Sequence, residues 1–110
     1  MHNYEVRVTE YAENALREIG LYILNEFSAP QAAISTLKTI RKEIETLNIM
    51  PERIHLTPEE PWMSLGIHRM TVKNFYVYFW IDTDANRVQI TNVVYVGRDQ
   101  KKQLDSMPLE

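Results

Sequence analysis

Ile67-His68-Arg69-Met70-Thr71-Val72-Lys73-Asn74-Phe75-Tyr76-Val77-Tyr78-Phe79-Trp80-Ile81-Asp82 is the stretch that decides the fold. Two runs rich in β-branched and aromatic residues flank Lys73-Asn74, and so short a connection between such runs reads as a β-hairpin. The second run, Phe75 to Ile81, is apolar or aromatic at every position, as a central strand should be. Asp82-Thr83-Asp84-Ala85-Asn86 is turn chemistry. Arg87 or Val88 through Val96 then supplies a third strand, which Gly97 breaks. The second half is thus an antiparallel meander.

Working back toward the N-terminus, Tyr4 to Val8 alternates as a strand, with Tyr4, Val6 and Val8 on one face. Thr9 stands where a helix N-cap belongs, and Glu10 and Glu13 occupy the first turn, where acids complement the helix dipole. Ala12, Leu16, Ile19, Ile23 and Phe27 then form a helical stripe. Gly20 inside it is a mild cost, about 1 kcal/mol against alanine. After Ser28-Ala29-Pro30 a second stripe runs through Ala33, Leu37, Ile40, Ile44 and Leu47 and ends near Asn48, before Pro51. The two stripes predict an antiparallel helical hairpin packed on the sheet. Ile49 to Met63, with three prolines, reads as a connecting loop in which Arg53 and His55 are the polar groups best able to reach a ligand. Asp99 to Met107 can form one short terminal helix. The predicted class is α+β: an N-terminal strand, a helical hairpin, a three-stranded antiparallel meander joined into one sheet, and a short C-terminal helix.

At 110 residues and 13.0 kDa the chain, residues 1–110, is expected to be a single domain. A content of 45% hydrophobic and 25% charged residues is that of a globular protein, which excludes intrinsic disorder. The absence of cysteine removes disulfides, thiolate metal sites and thiol nucleophiles. The opening residues lack a secretory pattern and no apolar run reaches the roughly 18 residues of a membrane helix, so a soluble, cytoplasmic protein without membrane contact is expected. Net charge is −3, but unevenly placed. Residues 1–63 hold ten acids against six Lys and Arg, whereas residues 64–110 hold five against six. Any surface for a polyanion belongs to the second half, and the chain has no strong basic excess to support nucleic-acid binding on charge alone.

No glycine loop for phosphate is present, and His2, His55 and His68 have no metal-ligand spacing. None of the serines lies in a nucleophile elbow. No cofactor and no metal are expected. What remains is a sheet face. Met70 and Val72 suit the core, so Arg69 and Lys73 look away from it; Val77, Phe79 and Ile81 can face the helices, leaving Tyr76, Tyr78 and Trp80 opposite. Three aromatics beside two cations can stack bases and hold phosphates. They can equally grip a protein partner, or lie covered by the tail helix. Arg98, after Gly97, is either a phosphate anchor reaching the patch of Arg69 and Tyr76 or a solvated neighbour of an Asp99 N-cap.

The order and spacing of several segments resemble the toxins of the RelE/ParE superfamily from bacterial type II toxin–antitoxin modules. The segments are Tyr4 to Ala12, Leu47 to Arg53, Pro61-Trp62, Leu65 to Phe75, Tyr78 to Asp82 and Val94-Tyr95-Val96-Gly97-Arg98-Asp99, and together they span nearly the whole chain. The resemblance implies a growth-inhibiting toxin that a cognate antitoxin neutralises by wrapping a helix or extended segment around it. A homodimer, or a hetero-oligomer with the antitoxin, is the implied assembly.

Two mechanisms exist in the superfamily. RelE-like members cut mRNA on the ribosome with clustered Lys, Arg and Tyr that activate a 2′-hydroxyl and stabilise the phosphorane. Arg69 and Arg98 match two of those cations, with Tyr76 as a third candidate catalytic group. However, Tyr76 itself stands where a cation is expected, Ile67 replaces a strand lysine, Leu104 replaces the tail tyrosine, and a terminal His-Tyr pair is missing. ParE-like members inhibit DNA gyrase and need no such cluster, and Gly66 to Asn74 and Gly97-Arg98-Asp99 look at least as much like that branch. The expectation is target binding of the gyrase type, with Lys73, Tyr78, Trp80 and Tyr95 as binding residues; the alternative is a ribosome-dependent endoribonuclease.

Overall fold

In the computed structural model, which describes residues 3–110, the Lys73-Asn74 turn joins β2 (His68–Val72) to β3 (Phe75–Asp82). Lys73 has φ 53°, the left-handed conformation that tight hairpin turns require. A second turn leads into β4 (Arg87–Tyr95) and completes the meander. The N-terminal strand β1 (Glu5–Val8) pairs in parallel with the other side of β4, giving the sheet order β1-β4-β3-β2. The alternation of Tyr4, Val6 and Val8 is matched by their packing against the helix-side core.

Helix α1 (Glu10–Phe27) begins at Thr9, whose hydroxyl accepts from the Ala12 amide, as the sequence predicts. It ends at Ser28 in the left-handed conformation, and α2 (Pro30–Glu45) restarts at once with proline in its first turn. A 3₁₀ turn over Thr46–Asn48 carries α2 to the expected end. Gly20 has a packing role beyond its helix cost. A Cβ there would stand 2.9 Å from Leu37 Cδ1, so the glycine lets α1 and α2 approach closely.

The sheet has a core on each face. Ala12, Leu16, Ile40, Ile44 and Leu47 of the hairpin pack on Met70, Val72, Val77, Phe79, Val88, Ile90 and Val93. On the opposite face, Ile67, Tyr78 and Val94 lie beneath Leu104 and Met107 of the terminal helix α3 (Gln100–Ser106) and its exit. A β-bulge lets β4 serve both cores. Tyr78 pairs with Asn92 but Phe79 pairs with Ile90, so Thr91 is an extra residue, and its hydroxyl donates to the Tyr78 carbonyl at 3.2 Å. The insertion reverses the alternation, putting Val88 and Ile90 but then Val93 on the helix side.

The proline-rich loop is more ordered than its sequence suggests. It makes a 3₁₀ turn at Pro51–Arg53 and then runs along the outer edge of β2. There the Thr57 amide donates to the Ile67 carbonyl and the Arg69 amide to the His55 carbonyl. Covering that edge blunts a ready template for unwanted strand pairing.

Candidate functional site

The anticipated aromatic face exists, but α3 covers its centre. Tyr78 is 0% exposed, so it offers no ring to a ligand, contrary to its reading as a binding residue. Its hydroxyl donates to Gln100 Oε1 at 2.7 Å, and burial, ahead of the nearby Glu59 charge, pushes its pKa up to about 12. Trp80 is half-buried, and its Nε1 donates to the Leu109 carbonyl at 2.6 Å. Tyr76, also half-buried, meets Tyr78 edge-on with 6.3 Å between ring centroids. The tail helix forms because Asp99 caps it, accepting from the Lys102 amide. Its Leu104 fills the space above the sheet.

Arg69 and Tyr76 come together as expected. Strands β2 and β3 pair Arg69 with Tyr78 and Thr71 with Tyr76, which sets the two side chains diagonally on one face. The guanidinium carbon lies 4.1 Å from the Tyr76 ring centroid, a cation–π contact. Arg69 also has a partner that the sequence did not reveal. Glu59, from the proline-rich loop, places Oε2 at 3.5 Å from its Nη1, and the Glu59 Oε1 accepts from the Thr57 hydroxyl. Glu59 lies in a stretch without hydrophobic period, so no pattern could have paired it with a strand residue ten positions on.

Arg98 does not join them. It is exposed, makes no ion pair among the described residues, and lines a different cleft. This groove of about 790 Å³ lies between α1 and the far ends of β3 and β4. Lys73, Phe75, Tyr95 and Arg98 form one wall and Ala15, Glu18, Ile19 and Tyr22 the other. Tyr95 is half-exposed and packs edge-on to Phe75, their centroids 6.1 Å apart. The convergence of Arg69, Tyr76 and Arg98 in one pocket is therefore corrected: Arg69 and Tyr76 meet each other, and Arg98 lines with Lys73 and Tyr95 a groove that neither of the two lines. The reason is the Gly97 turn, where the Arg98 amide bonds back to the Tyr95 carbonyl.

The loop candidates are also placed. Arg53 spends its guanidinium on the carbonyls of Ile49 and Met50 and on the Thr46 hydroxyl, which closes the turn at Met50. His55 is exposed. His2 lies outside the described residues. Among the described residues no three His, Asp or Glu side chains are grouped as a metal site, and no helix is long and apolar enough to cross a membrane.

The fold resembles that of solved toxin–antitoxin structures. A chain of the chromosomal ParDE toxin–antitoxin system from P. aeruginosa matches with a TM-score of 0.69 at 20% identity, covering 87% of this chain and 99% of that one. One from the RelBE2 toxin–antitoxin complex of Mycobacterium tuberculosis gives 0.61 at 19%, over 84% and 98%. The free E. coli toxin RelE, as a double arginine-to-alanine mutant, gives 0.62 at 11%, over 92% of each chain. These likenesses establish the fold. The family model for the ParE toxin of the type II toxin–antitoxin system parDE matches residues 6–100, and the chain belongs to that family. No curated protein matches it.

Proposed function

We propose that this toxin arrests growth by binding a protein target, DNA gyrase, rather than by cutting RNA. The observation that carries the reading is the separation of its cations. Phosphodiester cleavage needs several positioned charges around one phosphate as negative charge develops. Here Arg69 is engaged by Glu59 and Tyr76, while Arg98 lines a groove that neither Arg69 nor Tyr76 lines. The ParE family match favours the same branch.

The α1–β4 groove is our choice for the protein-binding surface. It presents exposed Tyr95 and apolar Ile19 and Tyr22 between Lys73 and Arg98, the mixture of aromatic anchors and arginine that interfaces favour. The protein partners are the target and a cognate antitoxin, as the neighbouring ParDE and RelBE2 assemblies suggest. Induction in bacteria, with plasmid supercoiling and codon-resolved mRNA cleavage read in parallel, tests the reading. Loss of negative supercoiling with intact messages supports it, and cleaved messages with normal supercoiling refute it.

A further inference from the structure

Glu59 meets Arg69 where an external anion would. The guanidinium carbon lies 4.1 Å from the Tyr76 ring centroid, and its Nη1 is 3.5 Å from a carboxylate oxygen of Glu59. Both partners are largely withdrawn from solvent, the Arg69 side chain 25% exposed and the Glu59 side chain 16%. The carboxylate is itself held in place. Thr57, wholly buried and tied through its amide to the Ile67 carbonyl just before β2, donates its hydroxyl to Glu59 Oε1, and the Glu59 carbonyl accepts from the Met63 amide. Tyr78 faces Arg69 across the two strands, and its hydroxyl donates to Gln100 Oε1.

A guanidinium held over an aromatic ring can seat a planar or tetrahedral oxyanion, since charge-assisted bonds to carboxylate and phosphate use the same donors. From this geometry we infer that Arg69 and Tyr76 form a phosphate-type anion site which Glu59 occupies and keeps shut. Glu59 thereby keeps an external phosphate group from the guanidinium that lies over Tyr76. The inference does not depend on gyrase being the target. It concerns one internal contact and the ligand class that contact rejects.

The test compares wild type with Glu59→Gln, which keeps an acceptor for Thr57 and removes the charge. Inorganic phosphate and the oligonucleotide hexauridylate are the two probes, each titrated while the Arg69 Nε–H signal is followed by NMR. Glu59→Gln is expected to bind phosphate saturably and at least about tenfold more tightly than wild type. Binding should weaken with salt and vanish in Glu59→Gln/Arg69→Gln. Tighter hexauridylate than phosphate would identify a nucleic-acid backbone as the excluded ligand, and equal affinity would identify phosphate alone. Indistinguishable titrations of wild type and Glu59→Gln, or binding that survives loss of Arg69, would overturn the inference. If Glu59→Gln fails to fold, Glu59→Ser, which also removes the charge, replaces it under the same criteria.

Discussion

Thr9 holds the Ile90 carbonyl twice, through its backbone amide at 3.1 Å and its hydroxyl at 2.9 Å. The same hydroxyl oxygen accepts from the Ala12 amide at 3.2 Å. One buried side chain thus ends the β1 pairing, starts α1 and braces β4 beside its bulge. Thr9→Val keeps the shape and removes both side-chain bonds. It should cost about 2 kcal/mol in urea unfolding, with Thr9→Ser close to wild type.

The close approach at Gly20 separates small from large replacements. The atom that an alanine Cβ would meet is the end of the Leu37 side chain, which can swing aside. Helix propensity then offsets the shift, and Gly20→Ala should stay within about 1 kcal/mol of wild type. Gly20→Leu must instead push α1 from α2 and should lose roughly 1–3 kcal/mol. Thermal or denaturant melts of the two variants check the pair.

Tyr78 predicts an alkaline instability. Its folded pKa is raised to about 12 from 10.0, so the folded chain holds the proton that the unfolded chain releases first. A group shifted upward supports the fold fully below the unfolded value, and that support is lost as pH rises from 10.0 toward 12. Tyr78→Phe should flatten the fall in stability across that window. Near neutrality it should cost only about 1 kcal/mol, for the lost bond to Gln100. Urea midpoints measured between neutral pH and pH 12 read both effects.

At the acidic end, Glu13 supplies a second, smaller dependence. Its hydrogen bond from the Arg41 guanidinium, which links α1 to α2 at 2.6 Å, holds the carboxyl below its ordinary value. A lowered carboxyl supports the fold above its unfolded pKa, and the support fades as pH falls below 4.5 toward the folded value. Both side chains are well exposed, so Arg41→Gln should lower stability at neutral pH by less than about 1 kcal/mol. The difference from wild type should disappear in acid melts.

Much of this molecule is legible in local pattern. The Lys73-Asn74 turn, the Thr9 and Asp99 caps and the two helical stripes each rest on residues close in sequence, where propensity and geometry act together. Tyr76 and Arg69 could be placed on one face because period two holds across a tight hairpin. The bulge at Thr91 could not be read in advance, because one inserted residue reverses every later side chain. The burial of Tyr78 depends on where α3 docks, and the Glu59–Arg69 pair on how an aperiodic loop returns to a strand edge. Both are tertiary choices that composition does not encode. The placing of Arg98 in the α1–β4 groove likewise follows from a turn, in which its amide bonds to the Tyr95 carbonyl.

The groove assignment makes a paired prediction. Reversing its two cations in Lys73→Glu/Arg98→Glu should relieve growth arrest and weaken antitoxin binding by at least about tenfold, without changing the melting temperature by more than a few degrees. Leu24→Lys, on an exposed part of α1 outside that groove, should do neither. Colony counts after induction and titration calorimetry with the antitoxin provide the two readouts.

Supercoiling of relaxed plasmid by purified DNA gyrase, with the purified toxin added, addresses the mode of action most directly. Inhibition that rises with toxin, is reversed by antitoxin, and is lost in Lys73→Glu/Arg98→Glu is the predicted result. Undiminished supercoiling, together with cleavage of mRNA on programmed ribosomes by the same preparation, would contradict it.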